Sequence, residues 1–290
     1  MKNNQKLGLL IVLLLLSVVY SNHFNNPFYF DDSHTIQENI HIRSLDNIKS
    51  FFTDASTFST IAKHYRPLMT LSNAIDYHFA GGLNSFYFHL SMFFWYLIQL
   101  VLMYLLFNAI SKKIPEHKWD YLFVLFAVAW YAFHTVNAET LNYITSRSDS
   151  ISTMFVIAAM YVYIAFPKLR RYQLYLIFVI LAILSKEQAN MFFALLFFYI
   201  LLFENKLSIS DILKKSKFKL VLNTFYKTLP AFIVCVLMSF LFLFMMRGGS
   251  AGIENTEAGM SAKEIVGQAS VTKMFSNGDK VLYYFLTQQW

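Results

Sequence analysis

Two adjacent carboxylates, Asp31 and Asp32, and His34 sit in the run Phe28-Tyr29-Phe30-Asp31-Asp32-Ser33-His34, shortly after the first apolar stretch. Further polar islands interrupt an otherwise apolar chain. They are Tyr65-Arg66-Pro67, the stretch 134–150 with His134, Glu139, Arg147 and Asp149, and Ser185-Lys186-Glu187-Gln188. Ionisable groups at membrane depth are costly, which makes these residues functional candidates. A carboxylate can take the proton of an attacking hydroxyl, and Arg or Lys, or a metal, can stabilise a departing phosphate. Phosphate leaves readily once its charge is balanced, so no strong general acid is required.

Each island also has a plainer explanation. Asp31-Asp32 could cap a helix or form a turn. Arg66 could snorkel to headgroups. Arg147 and Asp149 are two residues apart and do not face each other on a helix, so Ser148-Asp149 could be a structural cap. Lys186-Glu187 could be an ordinary loop. Asp31, Asp32 and Glu139 could hold Mg²⁺ or Mn²⁺ through oxygen ligands, although no spacing demands it. The eight histidines lack the spacing of a helical zinc motif, so no His-based zinc site is expected.

Composition fixes the setting. The chain is 57% hydrophobic, 18% aromatic and 14% charged, where soluble domains run at about a quarter charged. A net charge of +7 resides largely in short loops between apolar runs, where lysines and arginines set topology. No nucleic-acid module is recognisable, so nucleic acid is not an expected partner. The single cysteine, Cys235, lies in an apolar run and excludes a disulfide framework.

The expected fold is an all-α, multi-pass helix bundle with about seven membrane spans and a partial eighth. Residues 7–20 form a signal anchor with its N-terminus inside, followed by an outer loop over 21–85. Within that loop Ser44 should cap a helix with Leu45, Ile48 and Phe52 at helical spacing. Pro67 should open a second helix that Gly81-Gly82 ends, with Leu68, Leu71, Ile75 and Phe79 as its apolar face. Both suit the membrane surface; a small soluble cap is the alternative. Six further apolar runs are expected over 86–110, 119–133, 151–166, 174–184, 191–203 and 229–246. A Gly/Ser-rich outer loop comes next, over 247–279, and 280–290 begins another span. Basic loops around Lys112, Arg170 and Lys214 should share the cytoplasmic side. The acidic islands then fall on the opposite face, carried by short helices that line a cavity.

Carboxylates and cations gathered on one outer face beside lipid could move a sugar from a lipid-linked phosphate to a hydroxyl. The order of the islands adds a resemblance. Asn26-Pro27-Phe28-Tyr29-Phe30-Asp31-Asp32 with His34 and Ile36, Tyr65-Arg66-Pro67-Leu68, Phe133-His134 through Glu139 to Arg147-Ser148-Asp149, and Ser185-Lys186-Glu187 together resemble the membrane part of the transmembrane and tetratricopeptide-repeat O-mannosyltransferases and their bacterial relatives. These belong to the GT-C superfamily. The run Phe30 to His34 is also similar to the first-loop motif of protein O-mannosyltransferases. The resemblance covers about residues 1–246.

It implies that Asp31 is the catalytic carboxylate and that Asp32 positions acceptor or substrate. His34, Arg66, His134, Glu139, Arg147, Asp149, Lys186 and Glu187 would contact substrate, with Lys186 on the lipid phosphate and Arg66 on phosphate or in a structural role. The implied donor is a polyprenyl-phosphate sugar and the implied acceptor an exported protein or glycan hydroxyl. The implied location is the plasma membrane of a bacterium or the endoplasmic reticulum membrane of a eukaryote. The family often has His-Pro and a second His in the third island, where this chain has His134-Thr135 and Asn137; that bears on donor or acceptor preference. No 34-residue repeat is present, so the chain looks like an N-terminal piece or a shortened relative. Two other functions are open: a transporter for a lipid-linked precursor, which would use the same cations but would more naturally show paired internal repeats, and a non-catalytic scaffold.

Overall fold

A computed structural model describes residues 3–248 apart from 62 and 116–118. The expected loop over 247–279 and the start of an eighth span therefore lie, but for two residues, outside the described residues. Every regular element described is helical.

Helix α1 (Asn3–Val19) is followed by a loop region that holds α2 (Ile48–Thr53) and α3 (Pro67–Ala80). Then come α4 (Ser85–Ser111), α5 (Asp120–Ala132), α6 (Val136–Asn142), α7 (Arg147–Ala165), α8 (Pro167–Arg171), α9 (Tyr175–Ser185), α10 (Phe192–Tyr199) and α11 (Phe218–Gly248). Among the described residues four stretches are long and apolar enough to cross a membrane: Ser85–Ser111, Ile144–Ala165, Glu187–Glu204 and Lys215–Arg247. The α5–α6 pair, bent by 59°, makes a fifth if it is one span. Helices α1 and α9 are apolar but shorter.

Helix α7 forms the centre, with α4 and α9 packed along it. Tyr96, Leu100, Val128, Ala159, Tyr175 and Val179 are fully or almost fully buried in this core. Outward-facing Leu14, Phe94, Phe126, Leu195 and Phe240 remain exposed. A helical protein that leaves so many large apolar side chains uncovered has the surface of a membrane protein.

Side-chain contacts fix the relative direction of four of the helices. At one end of the bundle Arg147 reaches the Phe88 carbonyl, Lys186 meets Asp149, and the ring of Tyr65 packs on Phe242. At the other end Arg170 forms a two-pronged pair with Glu204 (2.6 and 3.1 Å), lies 4.1 Å over the Tyr163 ring, and Asn205 donates to Thr224 at 2.6 Å. Helices α4 and α7 therefore run one way, and α9 and α11 the other. The polar islands cluster at the first end, and Lys168, Arg171 and Lys214 to Lys219 at the second.

The loop region has its own small core of Ile36, Ile42, Phe51, Ala74, Phe88 and Ile144. Ser44 does cap, with its Oγ accepting from Asp46 N at 3.1 Å, but it opens a tight 3-10 turn (Leu45–Asn47). Three residues per turn shift the phase of α2 behind it, so Phe51 is buried and Ile48 is exposed. In α3, Pro67 is the first residue and Gly81 ends the helix at φ +66, a conformation that suits glycine. The buried face of α3 is a mixed one: Ser72, Asn73 and Asp76 turn inward with Met69 and Ala74, whereas Ile75 and Phe79 are exposed. The buried cation of Arg147, paired with Asp76, accounts for that orientation.

Candidate active site

The site grows from the turn after α1. Asp32 is fully buried, and both of its oxygens are engaged. Oδ2 accepts from Tyr29 N at 3.0 Å. Oδ1 accepts from Thr145 N at 2.8 Å and Thr145 Oγ1 at 2.7 Å. Burial pushes its pKa up against the pull of these donors. Asp32 thus pins the first loop to the turn before α7, and its carboxylate has no open side for substrate. Asp32, expected to position acceptor or substrate, here holds Tyr29 and Thr145 and so sets the backbone on which its neighbour stands.

That neighbour, Asp31, points outward with its side chain 61% exposed. The ring of His34 backs it, Nε2 lying 3.2 Å from Oδ1, and Nδ1 of the same ring is 2.7 Å from Ser59 Oγ. The Tyr143 hydroxyl accepts from Asp31 N at 3.3 Å. Partial burial and then the Asp31 carboxylate raise the Tyr143 pKa, so the phenol keeps its proton. Between Tyr29 and Asp31, Phe30 sits at φ +45. An aromatic residue in this region carries about 1–3 kcal/mol of strain. The turn is held by Asp32 and by Ser33, whose N and Oγ both donate to the Phe30 carbonyl at 3.2 and 3.0 Å.

A second group is made by two ion pairs. Arg66, the residue before α3, places Nη2 3.3 Å from Glu187 Oε1 and Nη1 3.5 Å from Ser148 Oγ. Its guanidinium lies 5.4 Å from the centre of the Phe58 ring. Lys186 pairs with Asp149 in the first turn of α7. Lys186 and Glu187 are adjacent, as are Ser148 and Asp149, so the two pairs join the loop region, α7 and the α9–α10 connection. Arg66 and Lys186 are held with side chains only 13% and 17% exposed beside half-exposed carboxylates.

His64 lies against the same Phe58 ring as Arg66. Partial burial and the charge of Arg66 hold its pKa below 6.5, while Glu187 and Asp31 pull the other way and His34 adds to the lowering. The Phe58 contact of His64, 5.6 Å between ring centres, shares the ring that Arg66 covers. Sequence reasoning missed His64 as a site residue. The available signal was its place two residues before Arg66.

Arg147 is not with these residues. It is fully buried, with Nη1 donating to Ser72 Oγ at 3.0 Å and pairing with Asp76, and Nη2 donating to the Phe88 carbonyl at 2.6 Å. Expected to contact substrate, it instead lies where it joins α7 to α3 and α4 from beneath the loop region. Asp76, which sequence reasoning passed over, explains the inward-turned polar residues of α3, since Ser72 and Asp76 are four residues apart on one face. His134 and Glu139 are exposed at α6. His134 Nδ1 accepts from Val136 N at 3.2 Å, at the start of the helix that follows it. Helix α6 nonetheless touches the site through Asn142, whose Oδ1 meets His23 Nδ1 at 3.0 Å and Asn26 Nδ2 at 2.8 Å. Among the described residues no three His, Cys, Asp or Glu groups converge as metal ligands, so Asp31, Asp32 and Glu139 do not form an oxygen cage there.

What the arrangement offers is an outward carboxylate with a histidine behind it, and two cations held nearby by acidic partners. No protein-family model matches the chain, and no solved structure matches it. A Caenorhabditis elegans protein described as a protein O-mannosyl-transferase is 26% identical over 191 residues, covering 63% of this chain and 26% of that protein. The chain thus spans about a quarter of the length of the curated relative it matches. The likeness is distant, and it supports a mannosyltransferase-like relationship.

Proposed function

We propose that this chain is the catalytic membrane part of a glycosyltransferase of the GT-C kind, moving mannose from a polyprenyl-phosphate donor to a hydroxyl of an exported protein. The observation that carries this is the placement of exposed Asp31, backed by His34 on Ser59, beside the adjacent Phe58 over which Arg66 lies in its pair with Glu187. The acceptor oxygen attacks the anomeric carbon as the bond from that carbon to the phosphate oxygen breaks, and the hydroxyl proton passes to Asp31. Attack opposite the departing phosphate inverts the anomeric centre. Arg66 and Lys186 stabilise the charge that develops on the phosphate, and Asp149 and Glu187 keep those cations placed. Exchanging a carboxylate partner for a phosphate keeps each cation charge-paired.

In this proposal α1 and α9 complete the membrane layer, giving seven crossings with α4, the bent α5–α6 pair, α7, the 187–204 stretch and α11. The end bearing Arg171 and Lys215 is cytoplasmic, because short basic loops stay inside. Asp31 then faces the outside of a bacterial plasma membrane or the lumen of the endoplasmic reticulum.

Membranes containing the protein, supplied with labelled polyprenyl-phosphate mannose and an acceptor extract, test the function. Labelled product is expected with the native chain and none with Asp31→Asn at equal membrane insertion. Full activity in that variant would remove Asp31 as the base. Labelled lipid that crosses the bilayer without forming a new bond would replace transfer by transport.

A further inference from the structure

Phe30 keeps a left-handed backbone although its side chain adds little to the fold. It is one of three non-glycine residues with positive φ among those described, and it is 68% exposed. Its ring meets Tyr143 at 6.0 Å between centres and 86° between planes. A perpendicular pair of this kind leaves at least one face of the Phe30 ring uncovered, whichever ring supplies the edge. The residue is adjacent to Asp31, and Tyr143 itself touches Asp31 N at 3.3 Å. A bare aromatic face, a phenol and an outward carboxylate are therefore contiguous. Strain held at an exposed aromatic, with no core to reward it, points toward function.

Building on the transfer function above, we infer that Phe30 is the platform on which the pyranose ring of the transferred sugar lies. One face of a pyranose presents C–H groups made electropositive by neighbouring oxygens, and these pack against the electron-rich face of an aromatic ring. The hydroxyls at the sugar's edge find hydrogen-bond partners in the Asp31 carboxylate and the Tyr143 hydroxyl. The left-handed turn serves both neighbours. It turns the Phe30 ring outward while Asp32 folds back onto Tyr29 N, so sugar platform and base are set by one backbone feature.

The test uses the whole chain in nanodiscs, free of sugar-headed detergent, with methyl α-mannopyranoside as the probe in saturation-transfer NMR. The native protein should transfer saturation to the pyranose C–H protons. Phe30→Ala, Phe30→Leu and Phe30→Gly should lose this, Phe30→Trp should keep it, and the donor KM should rise about two- to tenfold without the aromatic face. Phe30→Gly is decisive because glycine accepts a positive φ freely. It should raise the melting temperature while losing the sugar contact. A Phe30→Gly protein with native saturation transfer and native KM would overturn the platform. The two proposals fail separately. Phe30-dependent sugar contact without any glycosylated product would leave the platform and remove the transferase, whereas equal product from native and Phe30→Gly chains would do the reverse.

Discussion

Arg147 and Asp76, 71 residues apart in the chain, form an ion pair beneath the loop region, with side chains only 0% and 8% exposed. Ser72 and the Phe88 carbonyl also accept from the guanidinium, and its carbon lies 5.9 Å from the Phe88 ring. Three helices, α3, α4 and α7, meet at this one cation. The pair sits directly before Ser148 and Asp149, so the placement of Arg66 and Lys186 depends on it.

Breaking a buried pair from one side leaves an uncompensated charge, at a cost of about 3–5 kcal/mol. Arg147→Met and Asp76→Leu should each lower the unfolding midpoint substantially, and the double variant should recover much of the loss. Thermal unfolding of the four proteins in nanodiscs checks this. Additive losses in the double variant would show that the two residues do not act as a pair.

Asp31 and Asp32 should fail in different ways. Asp31→Asn changes an exposed group and should alter stability by no more than about 0.5 kcal/mol, with transfer abolished. Asp32→Ala removes the acceptor for Thr145 and Tyr29 and should loosen the loop. Hydrogen exchange at Tyr29 and Thr145 should accelerate in the second variant only. The opposite pattern would exchange the two roles.

His64 should titrate below 6.5, the ordinary value for the side chain. Removing the repelling cation, in Arg66→Gln, should raise its midpoint, and Glu187→Gln should lower it further. The sign for stability is set by the lowered value. Folding favours the neutral ring, so the contribution of His64 is present above 6.5 and is lost as pH falls through the folded midpoint. His64 is only partly buried, which keeps that contribution small. NMR titration with labelled histidine reads all three proteins; an unmoved midpoint in Arg66→Gln would separate His64 from the phosphate-binding group.

Sidedness can be read with an impermeant maleimide on intact cells. Cys235 is the single native cysteine and is 3% exposed, which keeps the background low. A Lys49→Cys protein should label from outside. A Lys215→Cys protein should label only after permeabilisation. Reversed labelling would place Asp31 in the cytoplasm.

The helical, apolar character of the chain, the Pro67 start and Gly81 stop of α3, and the set of polar islands were all legible in the residues alone. They obey local rules: composition, periodicity and the φ preferences of proline and glycine. Residue order could not decide which charged residues face substrate and which face one another. Asp31 and Asp32 are neighbours of one residue type, yet the turn at Phe30 sends one to solvent and the other to Thr145. Arg66 and Arg147 both looked able to hold phosphate. Asp76 claims Arg147, and Glu187 holds Arg66 at the site. These partners lie 71 and 121 residues away in the chain. Only packing that brings α3, α7 and the α9–α10 connection together selects among them, because the burial of a charge is set by its neighbours in space.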